Sequence, residues 1–163
     1  MLFRSDIKEH IDSNQFGSLK GVSTTFCLLD ILHNWLSALK SPGTYLRVSF
    51  SDFFKAFDHI DHNILVCKLL EMGARPIIIK WICSFLSQRQ QAVKLDGLLS
   101  KWTPVHAWVP QGTKLGPVLF LVMVNNLACR WSYWKYVDNV TISEVVPRGS
   151  LSTLQDDLDR ITA

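Results

Sequence analysis

The chain has 163 residues, 48% of them apolar and 19% charged, a size and balance that suit one domain with a single core and exclude a disordered chain. Its net charge of +3, from 17 basic and 14 acidic residues with no basic run, permits a nucleic-acid partner without demanding one. The longest strictly apolar run, Pro117–Val124, falls far short of the roughly 20 residues of a membrane span, and Met1-Leu2-Phe3 runs at once into Arg4, Asp6, Lys8 and Glu9, unlike a secretory signal. No membrane partner is expected, and the location is expected to be cytoplasmic or nuclear.

Ser23 and Thr24 offer an N-cap, and Leu28, Leu29, Ile31, Leu32, Leu36 and Leu39 follow at helical spacing until Ser41-Pro42-Gly43 breaks the pattern. Thr44 to Ser51 alternates Leu46, Val48 and Phe50 on one face, which predicts an interior strand delivering Asp52 at its end. After Asp58-His59-Ile60-Asp61-His62 a helix is expected from about 63 to 72, with Gly73 closing it. Pro76 suits the first turn of another helix, ending near Gln88. Gln91 to Leu95 and Trp102 to Trp108 read as two strands of a loose hairpin linked through Asp96-Gly97.

Val109-Pro110-Gln111-Gly112 reads as a loop, since proline removes a ladder donor and glycine allows close approach. Gly116 to Leu127 is nearly all apolar and predicts a buried helix. Ser132 to Val137 and Val140 to Val146 form two β-rich runs separated by Asp138-Asn139, a hairpin with an acid at its tip. Leu151, Leu154, Leu158 and Ile161, interleaved with acids, predict a final surface helix. The order describes an α+β fold with no internal repeat.

The four cysteines, Cys27, Cys67, Cys83 and Cys129, lack the close pairs of a zinc or redox site. Three sit in apolar helical patterns, where a buried reduced thiol is the expected state. Two acids stand out by position: Asp52 at a strand end and Asp138 at a hairpin tip. On neighbouring strands their carboxylates would converge and suit magnesium, a hard cation with oxygen ligands. The plainer alternative is that Asp138 suits a tight turn and Asp52 starts a loop.

Particular segments bear on that choice. Asp52-Phe53-Phe54-Lys55-Ala56-Phe57-Asp58, then Asp61-His62, then Trp81-Ile82-Cys83-Ser84-Phe85-Leu86 with Arg89-Gln90, resembles the reverse transcriptases of non-LTR, LINE-type retrotransposons. Val109-Pro110-Gln111-Gly112-Thr113-Lys114-Leu115-Gly116-Pro117 is similar to the second signature of that family, and Tyr136-Val137-Asp138-Asn139 to its Tyr-x-Asp-Asp hairpin. Upstream, Gln15-Phe16-Gly17 and Lys20-Gly21-Val22-Ser23-Thr24 look like the fingers segment that precedes the palm.

The resemblance implies an antiparallel palm sheet that carries the catalytic hairpin and packs on helices, with part of the fingers. Fingers and palm elements are expected at about 1–50 and 60–105, the catalytic palm core at 45–58 and 107–146, and no thumb is expected within these residues. It implies template-directed addition of dNTP to a DNA primer on an RNA template by two-metal chemistry with Mg2+, or Mn2+. Asp52 and Asp138 match the metal-binding catalytic acids. Phe57 matches the aromatic gate beneath the sugar, and Gln111 and Gly112 the loop that touches nucleotide and template. Lys55 is a candidate contact for substrate phosphate, and Arg89 and Lys20 for nucleic acid, a solvated surface cation being the alternative.

The chain departs from this pattern at several positions. Asn139 stands where the second hairpin acid belongs, which keeps the shape and removes a negative charge beside two dications. A loss of about 3 to 4 kcal/mol there slows the reaction by roughly two to three powers of ten. Leu19 and Val22 replace fingers arginines, Trp108 a glycine, Asn126 an aspartate, and Ser51 an aliphatic residue. Impaired or lost polymerase activity is the resulting expectation. Two alternatives stand beside it: a palm remnant that binds RNA or DNA without catalysis, and a metal hydrolase built on the cluster from Asp58 to His62.

Overall fold

A computed structural model describes residues 9–105, 107–110 and 112–162. Where length alone suggests one core, the chain divides into two compact units interleaved in sequence. One is a sheet unit, Asp12–Phe54 with the residues from Val124 onward; the other is a helical unit, Lys55–Met123 with the described residues before Asp12.

The sheet unit holds α1 (Thr24–Leu39), β1 (Thr44–Asp52), β6 (Ser132–Tyr136), β7 (Asn139–Pro147) and α5 (Leu154–Thr162). Its three strands run antiparallel in the order β1-β7-β6. Thus β7 is central and β1 lies at an edge, not in the interior as its apolar alternation suggested. The Ser23 hydroxyl accepts from the Phe26 N–H at 3.4 Å and starts α1. Cys27 and Ile31 of α1 bury against Trp134, with Phe16, Trp35 and Tyr136 around them. On the alternate residues of the sheet, Val140 and Ile142 pack with Leu154, Leu158 and Ile161 of α5.

Two boundaries in this unit differ from the sequence pattern, each for a local reason. The hairpin turn is Val137-Asp138 rather than Asp138-Asn139, and Asn139 opens β7 opposite Tyr136. Val137 leaves the ladder because its φ is +56° and its N–H donates to the Gln15 side chain at 3.2 Å. α5 begins at Leu154, leaving Leu151 92% exposed, and it is no mere surface helix. The buried Glu144 carboxylate of β7 receives the Thr153 and Leu154 N–H groups at 3.0 and 3.2 Å, along with the Ser152 hydroxyl, and so caps it. Asp157, also buried, accepts from the Arg130 N–H at 3.3 Å.

The helical unit contains α2 (His62–Glu71), α3 (Pro76–Leu86), the short strands β2 (Gln90–Gln91), β3 (Lys94–Leu95), β4 (Leu98–Leu99) and β5 (Thr103–Pro104), and most of α4 (Gly116–Val124). Asp61 caps α2 through the Asn63 and Ile64 N–H groups at 2.7 and 3.1 Å. α3 starts on Pro76 and ends at Leu86, short of Gln88, whose φ of +55° is not helical. The expected loose hairpin is two nested ladders. Lys94-Leu95 pairs with Leu98-Leu99 around a tight Asp96-Gly97 turn, both φ values positive as such a turn requires, and Gln90-Gln91 pairs with Thr103-Pro104 outside it. α4 stops at Val124 instead of Leu127, because the carbonyls of Val124, Asn125 and Leu127 turn to the Lys135 ammonium.

The thiols also differ from their helical context. Cys27 is buried, but Cys67 and Cys83 lie on the exposed sides of α2 and α3, and Cys129 is half-buried. Burial, then the Asp157 charge, pushes the Cys129 thiol up to about 11, so it stays protonated and inert at neutral pH.

Candidate active site

One end of the sheet holds the two acids of the metal expectation, Asp52 and Asp138, together with Asn139 at the position of the missing acid. Asp52, the last residue of β1, sits directly opposite Asn139, the first of β7. The Phe53 N–H donates to the Asp138 carbonyl at 3.2 Å, carrying the β1 chain across to the hairpin turn. Asp52 and Asn139 are exposed and Asp138 is half-buried, so the site faces solvent from ordered strands. The Asn139 amide donates to the Asp138 carboxylate at 3.2 Å, where an acid would repel it.

This end offers two carboxylates and a carboxamide, hard oxygen donors of the kind magnesium takes. Among the described residues no three His, Cys, Asp or Glu side chains gather into a metal-holding group. The donor set suits one dication and lacks the further carboxylate a pair calls for.

The hairpin is held from behind by a strap that the sequence pattern assigned to the fingers. Lys135 N–H donates to Asn14 O and Phe16 N–H to Lys135 O, both at 2.8 Å, a parallel bridge along the free edge of β6. The Gln15 carboxamide oxygen accepts from both Gly17 and Val137 N–H groups. A Cβ on Gly17 would overlap the Val137 nitrogen and side chain, so only glycine lets the strap lie against the turn. Val137 is a β-branched residue in the left-handed region, a strained conformation that these contacts maintain.

Beside it Lys135 is wholly buried. Its ammonium pairs with Asp12 at 2.6 Å and donates to the carbonyls of Val124, Asn125 and Leu127 at 3.0 to 3.1 Å. Burial pushes the Asp12 carboxyl up, but hydrogen bonds from Lys135, the Asn14 N–H and the Tyr133 hydroxyl outweigh it and hold the group below its ordinary range. Reading the sequence missed this residue. Its one signal is a lysine in a strand between tryptophan and tyrosine, where an apolar residue is expected.

In the helical unit Phe57, Pro110, Gly112, Thr113, Lys114, Gly116 and Pro117 line a pocket of about 460 Å³. The Phe57 ring packs on Phe120 at 5.1 Å, and the Val109 N–H donates to the Phe57 carbonyl at 3.0 Å. The Thr113 hydroxyl accepts from the Gly116 N–H at 3.1 Å and donates to the Pro110 carbonyl at 2.8 Å, closing the loop at the start of α4. Gly112 has φ +78° with open space beside it, a backbone conformation that favours glycine. Trp108 carries φ +153°, a conformation that favours glycine, and its carbonyl accepts from His62 Nε2 at 2.9 Å.

Phe57 and Gly112 are thus brought together, while Gln111 lies outside the described residues. Lys55, exposed with φ +50°, and Arg89 do not line the pocket. The Arg89 guanidinium donates to the Phe85 carbonyl at 2.7 Å and sits over the Phe85 ring, closing the end of α3. Lys20 is exposed on a turn of the sheet unit. The metal-hydrolase alternative loses its ligands, since Asp61 caps a helix, His62 holds a carbonyl, and no metal group forms among the described residues.

An acid-bearing hairpin beside an acid-ended strand is an arrangement suited to holding a divalent cation. The chain belongs to the reverse transcriptase (RNA-dependent DNA polymerase) family, which it matches over residues 2–156. It is 31% identical over 127 residues to the RNA-directed DNA polymerase from mobile element jockey of Drosophila melanogaster, a match covering 78% of this chain and 14% of that protein. It is 30% identical over 125 residues to the probable RNA-directed DNA polymerase from transposon BS of the same fly, covering 76% of this chain and 13% of that protein. A third relative, the probable RNA-directed DNA polymerase from transposon X-element, is 31% identical over 114 residues, or 70% of this chain and 12% of its own length. The chain therefore spans about one-seventh of the curated relatives it matches.

Proposed function

We propose that the chain is the palm, with part of the fingers, of a non-LTR retrotransposon RNA-directed DNA polymerase whose nucleotidyl transfer is cut back by Asn139. Residues 45–58 and 107–146 form the catalytic palm core in this reading, and its substrates are an RNA template, a DNA primer and dNTP. The observation that carries it is the pairing of Asp52 with Asn139 at the hairpin end of the sheet.

Asp52 and Asp138 would hold magnesium or manganese. When bound, the ion supplies charge neutralisation and activation of a hydroxyl nucleophile. The strand end and the hairpin keep both carboxylates on ordered backbone. Phe57 presents its ring to the sugar, and Gly112 leaves room for the nucleotide beside the loop. Asn139 retains the hydrogen-bonding shape but contributes no charge, and its amide ties up one oxygen of Asp138.

Primer extension on an RNA template, with Mg2+ or Mn2+, tests this. The Asn139→Asp form is expected to extend primer about 100- to 1000-fold faster than the unaltered chain. Unaltered protein that extends as well as N139D overturns the assignment. A second reading, a palm that holds an RNA–DNA hybrid without extending it, is favoured by the Asn139–Asp138 bond. It expects salt-dependent hybrid binding that is indifferent to magnesium, with no extension by either form.

A further inference from the structure

The pocket beside Phe57 is lined by two prolines, two glycines, a phenylalanine ring, a threonine and one charged side chain, Lys114. Its volume, about 460 Å³, falls within the range that accommodates small ligands. Thr113 is occupied by the Gly116 N–H and the Pro110 carbonyl, which leaves Lys114 as the lining residue with charge to offer. Neither of the cations this unit was expected to supply, Lys55 and Arg89, reaches the lining, and Arg89 is held on Phe85. A chamber with an aromatic wall and a single cation, exposed to solvent, suits a ligand with a flat or ring-shaped apolar part and an anionic tail.

We propose that Lys114 is the specificity-determining cation of this pocket and contacts the triphosphate of the incoming nucleotide. The proposal rests on the polymerase reading above and adds a residue to it. Lys114 lines the pocket and is exposed, so a polyphosphate extending toward solvent from a seated base and sugar would meet its cation. An exposed lysine facing phosphate gives a modest, salt-sensitive gain, so removing it lowers affinity without abolishing it.

The test is calorimetric titration of the full chain at low salt with dATP, with deoxyadenosine, and with a single-stranded oligonucleotide lacking a terminal phosphate. Lys114→Ala and Lys114→Arg are compared with the unaltered protein, and thermal melts verify that both fold. The expected result is a roughly three- to tenfold loss of dATP affinity in K114A, near-full retention in K114R, and unchanged deoxyadenosine binding. An equal loss for deoxyadenosine makes Lys114 a wall rather than a charge contact and overturns the proposal. A loss confined to the oligonucleotide assigns Lys114 to a strand phosphate and overturns it too, as does no loss for any ligand; in each case the nucleotide reading survives if dATP binds. Failure of the unaltered chain to bind dATP up to millimolar concentration overturns that reading and the proposal together.

Discussion

The residue that most shapes this molecule is Lys135, which no functional pattern picks out. An ammonium removed from water is tolerated here because a carboxylate and three carbonyls surround it, enough acceptors for all three of its N–H groups and a counter-charge. It ties β6, three residues before Asp138, to the chain that leaves α4 and to Asp12. Deleting it strands Asp12 and the carbonyls together. Lys135→Ala is expected to cost about 3 to 5 kcal/mol in urea denaturation, and the paired change Lys135→Met with Asp12→Asn less than the single deletion. Asn139 is the opposite case. Its departure from the family pattern is visible in the sequence and leaves the ladder opposite Asp52 intact.

At the scale of elements, most of the helices and long strands follow from apolar spacing and caps: Ser23, Asp61 and Pro76 each stand where a helix begins. What the spacing does not carry is how an element ends when its terminus is fixed from far along the chain. The turn at Val137-Asp138 depends on Gln15 and Gly17, and the start of α5 depends on Glu144, neither of which lies within a short window of the boundary it sets. The strand end at Asp52 and the hairpin near Asp138 follow from local alternation, whereas the pocket beside Lys114 is closed by Phe57, a residue distant in sequence that no local pattern joins to it. A direct check on the strap is Gly17→Ala. The added methyl group forces the hairpin turn or the strap to shift, which is expected to cost about 1 to 3 kcal/mol and to move the amide resonances of Val137 and Asp138 ahead of those of α5.

At the scale of the whole molecule the buried carboxylates set an acid limit. Burial pushes the Glu144 carboxyl up, but hydrogen bonds from Ser152, Thr153 and Leu154 more than offset it and hold the group below its usual range, as they do for Asp12 with its own donors. A carboxyl whose value is lower in the folded state stabilises that state above its unfolded value, and the gain is lost as pH falls through the folded one. Unfolding free energy should therefore be level near neutrality and decline once the pH drops into the ordinary carboxylate range of about 4 and below. Glu144→Gln and Asp12→Asn should each flatten that decline, as read by urea melts across the acid range; an unchanged slope in both would contradict the assignment. The interleaving of the two units has a consequence of its own, in time rather than in energy. The hairpin's own ladder is local, but the sheet pairs Thr44 with Pro147 and Asp52 with Asn139, and Gln15 reaches Val137, so the ties that anchor the acid-bearing turn join an early part of the chain to a late one. Long-range closures of this kind form slowly. During synthesis the helical unit can emerge and fold while the first strand still waits for its neighbour, and the turn bearing Asp138 is among the last places in the chain to acquire its shape.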